Sequence, residues 1–314
     1  MQPLDPSLES AVQSTVEYLA SPEAMASLER DPYWPKWDTP WWRMLLLFEM
    51  GLAERIPRVA VDKLAEVVSR HFVQIFPIRE SEVPKGADPM RHIPCHCALG
   101  CLYQLLHACN VEVDAALPWI RPWFLKYQLP DGGLNCDERV YTRETPKSSV
   151  VSTLPPLEAV LFCTKRPWTP EEERFLDNGA RYLLDHRLYR AIDTGGVINE
   201  DWLELGFPRF YWYDLLRGLY FLAVWAHRRG KLLPRSAIEE PLGLMRAKTK
   251  GKFLETSRVC HAGVPTLNAG GDGNWVKVDA ETFELLDRVS MVMTPNPWLT
   301  RDWNRVRDIL GKGV

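Results

Sequence analysis

Five stretches of this chain are apolar on every side at helical spacing, and stretches with one polar face alternate with them. The apolar segments open near Trp42, His96, Ser149, Tyr213 and Trp303, so that successive starts lie 54, 53, 64 and 90 residues apart. A helix that is apolar all round has to be buried, and a recurrence of this kind is a degenerate helical repeat. Two layers satisfy both conditions: inner helices closed into a ring, with outer amphipathic helices covering them. An open solenoid also alternates faces, but its inner helices do not need to be apolar on every side. The expectation is an all-α fold, an α/α toroid (α/α barrel) of five to six inner/outer helix pairs. It forms a single domain over residues 1–314, with an irregular, loop-rich segment at 250–278.

Local signals place most of the helices. Leu8 to Ala20 has helical periodicity with Pro6 suited to a first turn, and an unusually aromatic loop runs from Asp31 to Pro40. Trp41 to Leu52 follows. Asp62 is read as the cap of a helix reaching about Phe76, and Ala98 to Ala108 as another buried helix. Pro118 and Pro122 shorten or kink the helix expected over Asp114 to Tyr127. Thr169-Pro170-Glu171-Glu172 is a capping box with proline at the first position, and Ser236 with Glu239 reads as a second. Arg209 to His227 is the most apolar helix, Asp279 to Met293 reads as helical, and Thr300 to Leu310 is the last helix. No β pattern stands out: VVST at 150–153 runs into Pro155-Pro156, which interrupt that helix, rather than into a hairpin turn.

Composition narrows the function classes. Thirteen Trp either fill a large core or line an apolar cavity. The formal charge is −3 and the cations are scattered, which argues against nucleic acid as a partner. No signal pattern opens the chain and no run of 18 apolar residues occurs, so a cytoplasmic protein without a transmembrane segment is expected, its seven Cys reduced. The glycine-rich stretch Asn268–Asn274 lacks the Lys-Ser/Thr of a P-loop and follows no expected strand, so nucleotide binding is not indicated.

One stretch carries a resemblance. Trp123-Phe124, Gln128, Gly132 and Leu134 fall at the offsets of the QW repeat of squalene and oxidosqualene cyclases, with Leu134 where that motif has Trp. The Gln side chain of such a repeat bonds backbone at a helix end and ties it to the next turn. DGGLNCDE, followed by KSSVVSTLPPLEAVL, and the later FPRFYWYDLLRGLYFL are similar to segments of bacterial squalene-cyclase-like proteins of unassigned activity. The resemblance spans roughly residues 90 to 310 and implies the toroid shared by triterpene cyclases and protein prenyltransferase β subunits. It implies an isoprenoid cyclase or transferase acting on a hydrophobic small molecule in a central apolar cavity. The chain departs from the family in its acids. It has no DxDD, no DDxxD and no NSE-type magnesium motif, and Asp131 and Cys136 do not match the Asp-x-Cys of zinc prenyltransferases.

The residues themselves offer several chemistries. Asp137, Asp214 and His96 are the candidate acid, base or orienting groups: Asp137 adjoins Glu138, and Asp214 can pair with Arg217 three residues on in an apolar helix. Trp42, Ser149, Tyr211, Tyr213, Trp303 and His261 are the candidate cavity residues, the aromatic ones suited to cation–π contact. Soft thiolates and imidazoles gather around His92, Cys95, His96 and Cys97. With Cys136, Asp137, Cys260 and His261 drawn in, three or four ligands can converge, and Cys95, Cys97 and Cys136 are the candidate zinc ligands. A zinc-dependent transferase, a glycan-processing α/α enzyme, and a toroid that holds a lipid or peptide without catalysis stand beside the cyclase reading. The apolar inner helices argue against the glycan enzyme, which needs two carboxylates flanking a polar cleft.

Overall fold

The computed structural model describes residues 4–270 and 274–311. The protein is 55% helix with little sheet, as the helical spacing requires. In chain order the helices are α1 (Pro6–Leu19), α2 (Pro22–Arg30), α3 (Pro40–Glu49), α4 (Arg58–His71), α5 (Pro89–His92), α6 (His96–Ala108), α7 (Val113–Ala116), α8 (Ile120–Lys126), α9 (Val150–Cys163), α10 (Pro170–Asp185), α11 (Leu215–Arg229) and α12 (Arg235–Lys248). Strands β1 (Leu254–Glu255), β2 (Thr266–Ala269) and β3 (Trp275–Val278) precede α13 (Glu284–Val289); β4 (Pro295–Asn296) precedes α14 (Pro297–Leu310). No helix among the described residues is long and apolar enough to cross a membrane.

Two compact units emerge from the contacts. The first comprises residues 4–94, 102–120, 261–270 and 274–290 of those described. In it α1 packs on α2, α3 and α13, and α2 packs on α4. Its core is aromatic. Trp37, Trp41 and Trp42 are fully or almost fully buried, and Trp42 Nε1 donates to Tyr33 O at 3.0 Å, so the aromatic loop before α3 is indeed folded inward. Helix α2 has no counterpart in the sequence reading, although Ser21 caps it and Pro22 opens it. Asp62 lies inside α4, whose cap position is Pro57.

The second unit comprises residues 95–101, 121–260 and 291–311. Helix α11 is its centre and packs on α9, α10, α12 and α14. The capping box at Thr169 forms as expected, with Thr169 Oγ1 accepting from Glu172 N and Thr169 N donating to Glu172 Oε2. The second expected box does not, because α12 starts two residues earlier, at Arg235, with Pro234 at the cap. Pro155 and Pro156 do not interrupt α9, which runs through both. Tertiary packing overrides the local penalty. A Cβ at Gly100 would sit 2.3 Å from the carbonyl carbon of Pro155, so α6 and α9 meet backbone to backbone in their second turns.

The start of α11 is the largest departure from the apolar pattern. The helix begins at Leu215 and not near Arg209, with Asp214 as its cap. Phe210 adopts a left-handed φ of 51°, and Arg217 Nη1 donates to Phe210 O and Trp212 O, both at 2.8 Å. Those carbonyls, committed to a guanidinium, hold the segment as a turn. Likewise only Glu284–Val289 of the expected Asp279–Met293 helix forms. The segment 250–278 is not wholly irregular. β1 pairs with β4, and β2 with β3, both antiparallel. Residues 271–273 of the glycine-rich stretch lie outside the described residues.

Candidate metal centre

The turn after α8 builds the site. Gln128 Nε2 donates to Gly132 O at 2.8 Å and to Phe175 O on α10 at 2.9 Å, so the glutamine ties the turn to a neighbouring helix. Gly132 has φ 100°, and a Cβ there would lie 2.4 Å from Asn178 O. A side chain is therefore excluded twice, by conformation and by space. Beyond the turn the chain is laid along the start of α9. Leu134 N donates to Thr153 Oγ1 at 2.8 Å, Ser149 N donates to Leu134 O at 2.8 Å, and Cys136 N donates to Ser152 Oγ at 3.1 Å.

These bonds deliver Cys136 to Cys95 and Cys97 at the start of α6. Cys95 Sγ and Cys97 Sγ are 3.2 Å apart, Cys136 Sγ and Cys97 Sγ 3.7 Å, and all three lie within 4.8 Å of one another. Zinc–thiolate bonds of about 2.3 Å at tetrahedral angles put sulfurs about 3.8 Å apart. The Cys97–Cys136 spacing already matches, and Cys95 needs only a small outward movement. The three thiols can thus hold a metal ion. Cys97 is buried and Cys95 partly exposed, which leaves one side of the cluster open. The Cys97 thiol is pushed well up by its contacts with Cys136 and Cys95 and by burial, and Cys136 is pushed up by Cys95 first. A metal must displace these protons, so its affinity rises with pH.

The structure separates the remaining candidates from this cluster. His96 is fully buried, and neither ring nitrogen is available. Trp123 Nε1 donates to His96 Nδ1 at 2.8 Å, and the Tyr141 hydroxyl lies 3.2 Å from Nε2. Burial holds its pKa down to about 3, so His96 is a neutral core acceptor. Asp137 caps a short 3₁₀ helix (Glu138–Thr142) and pairs with Arg139 Nε at 3.2 Å. Desolvation pushes its carboxyl up but is outweighed by the Arg139 bonds, so its pKa falls below the usual range, not above it as an acid pair would give. Cys260 packs against Gly206, and Cys101 Sγ donates to Phe210 O at 3.5 Å.

Asp214 does not pair with Arg217 side chain to side chain. Its Oδ1 accepts from Arg217 N at 2.8 Å and lies 3.7 Å from Arg209 Nη1; Oδ2 has no hydrogen-bond partner among the described residues. Arg209 also pairs closely with Asp302 of α14. Burial raises the Asp214 pKa. A carboxyl raised in the folded state gives stability that is present in full below its unfolded pKa and lost as pH rises through the folded one. Asp214→Asn keeps the cap and removes the charge, so its unfolding free energy should fall less than that of the wild type as pH is raised from about 4 to 7. Parallel pH titrations of denaturant midpoints check this; equal slopes would mean Asp214 is not the group responsible.

Of the expected cavity residues, Trp42, Tyr213 and Trp303 are core. The Tyr213 hydroxyl donates to Leu188 O at 2.8 Å. His261 stands in the first unit beside Trp37, ring centroids 6.2 Å apart, in a cleft of about 320 Å³. Tyr211 lies near the cysteines: burial first, then Cys97 and Cys95, push its phenol well above its usual range. Ser149 caps α9 and lines a cleft of about 790 Å³ together with Lys147, Tyr182, Ile192, Ile198 and Trp202. Ser149 and Ser152 both belong to the start of α9, where Ser149 Oγ accepts from Ser152 N and Ser152 Oγ accepts from Cys136 N. Sequence reasoning missed Trp202, a lone aromatic in an acidic loop, and missed Tyr141 and Trp123 as the partners of His96. It also missed Glu158, whose signal is a carboxylate inside an apolar helix that burial obliges to find a partner. No protein-family model, curated protein or solved structure matches the chain.

Proposed function

We propose that Cys95, Cys97 and Cys136 bind one zinc ion and that the chain is a zinc-dependent transferase on an α/α toroid, acting on a hydrophobic small molecule held in the cleft beside α9. The convergence of three thiols from two separate segments carries this reading. It favours the transferase over the isoprenoid cyclase that the QW-like resemblance also suggests. A cyclase needs a proton donor facing an apolar cavity, whereas Asp137 is an Arg-paired cap, both His96 nitrogens are engaged, and Asp214 is a buried cap of α11.

Three thiolates with a fourth position open are the ligand pattern of a catalytic rather than a closed structural zinc, and such an ion supplies Lewis acidity or a deprotonated nucleophile at neutral pH. The chain supplies the rest. Ser152 fixes the backbone that carries Cys136. Partly exposed Cys95 leaves the cluster accessible. The cleft, at about 790 Å³, lies in the range of small-molecule sites and offers Trp202, Tyr182, Ile192 and Ile198 to an apolar body.

Protein purified without added metal should contain about one zinc per chain by elemental analysis, and native mass spectrometry should show an apolar molecule retained with it. Absence of zinc, with no uptake when zinc is supplied to the reduced protein, would overturn the reading.

A further inference from the structure

His71 ends α4 and His92 ends α5, and a bond from Val73 N to His92 O at 2.7 Å joins the two ends. Their rings meet edge to face with centroids 4.9 Å apart. Behind them Asp31 is completely buried. It accepts from Tyr33 N and Trp34 N, both at 2.9 Å, and from Arg91 Nε at 3.0 Å, and its Oδ2 lies 3.4 Å from His71 Nε2. In front of the rings is a cleft of about 400 Å³ edged by Glu29, Arg70 and Lys85.

One nitrogen of His92 is committed to the protein, and one of His71 faces a carboxylate. Asp88 N donates to His92 Nδ1 at 2.8 Å. A ring nitrogen that accepts carries no proton, so neutral His92 bears its hydrogen on Nε2 and is a donor there. His71 Nε2 is directed at Asp31, which leaves Nδ1. The local charges then decide the ligand. Glu29 is answered by Lys63 at 2.5 Å and Arg70 at 3.0 Å, Glu66 by Arg70 at 3.0 Å, and Asp31 by Arg91. Lys85, at the cleft's edge, has no ion-pair partner among the described residues, and the Asp88 carboxylate accepts from Met90 N. His92 titrates below its usual range through burial first and then through His71 and Arg91, with Asp88 and Asp31 acting the other way. A metal ion fits poorly here, since no third Cys, His, Asp or Glu ligand gathers with the two histidines among the described residues.

We propose that the cleft between His71, His92 and Lys85 is a binding site for a small oxyanion, a phosphate or carboxylate group, held by the Lys85 ammonium and the His92 Nε2 hydrogen. His71, with Asp31 behind it, lines the same cleft.

The test titrates inorganic phosphate, and separately acetate, into the full chain at constant pH and ionic strength, following the imidazole Cε1 protons by NMR. Saturable shifts of the two histidine signals, assigned with His71→Gln and His92→Gln, are expected with at least one of the anions. Phosphate alone would point to a phosphoryl ligand and acetate alone to a carboxylate. Lys85→Ala, an exposed position whose loss leaves the fold intact, should weaken binding about tenfold or more, the loss of one charge-assisted hydrogen bond. Shifts that never saturate with either anion, or an unchanged affinity in Lys85→Ala, would overturn the site.

Discussion

Arg217→Met should lower the unfolding free energy by about 3–5 kcal/mol, a large part of what holds a protein of this size folded. Arg217 spans the second unit. Its Nε and Nη2 donate to the two oxygens of Glu158 on α9 at 2.9 and 2.6 Å, while Nη1 donates to Phe210 O and Trp212 O. Both side chains are almost completely buried, Arg217 8% and Glu158 4% exposed. Removing the guanidinium strands a carboxylate and two carbonyls away from water. That desolvation, and not the lost attraction, makes up most of the cost. The double variant Arg217→Met with Glu158→Leu removes the stranded charge and should recover a good part of the loss. Urea melts of the four proteins of the cycle measure it. A single-variant loss under about 1 kcal/mol would show the pair to be a solvated, surface-like bridge.

Cys136→Ser should release the zinc proposed for the thiol cluster. Closed structural zinc sites bind with about 10–16 kcal/mol, so one thiolate out of three contributes on the order of 3 kcal/mol, about a hundredfold in affinity. Competition with a chromophoric chelator reads this directly. Cys101→Ser is the control, because Cys101 serves Phe210 O and not the cluster. Ser152→Ala should have an intermediate effect of roughly tenfold, since it frees the Cys136 backbone without touching a ligand. Wild-type affinity should rise with pH, because contact among the thiols keeps Cys97 and Cys136 protonated until a metal displaces their protons. A pH-independent affinity, or equal zinc retention in Cys136→Ser and Cys101→Ser, would place the ion elsewhere.

The helices were legible where the signal was local. The capping box at Thr169 and the break at Pro118 between α7 and α8 involve residues within one turn, and both form. Gln128 was legible too, as a tie between a helix end and a turn, although its second acceptor, Phe175 O, is 47 residues away. The misreadings share one cause. Pro155 and Pro156 predict a broken helix, yet the close approach of Gly100 and burial on all sides keep α9 whole. Asp214 in an apolar run predicts a helical pair with Arg217, yet Arg217 turns to Glu158, 59 residues away, and to two carbonyls that stop the helix short. The strands β1 and β4 pair across about forty residues and neither has a pattern of its own.

The amino-acid sequence alone determined that this protein is mainly helical, with wholly apolar helices that must be buried, and that thiols are its most reactive soft donors. Apolar periodicity and thiol chemistry belong to residues and their near neighbours. The tertiary structure decided which donors meet. Cys136 reaches Cys97, 39 residues before it, because Gly132 admits a turn no side chain allows and because Thr153 and Ser152 hold the following strand of chain on α9. His96, next to both cysteines in sequence, is turned instead to Trp123 and Tyr141. Adjacency along the chain sets only which groups are near; the direction of each side chain follows from packing, and that direction makes the difference between a ligand and a core residue.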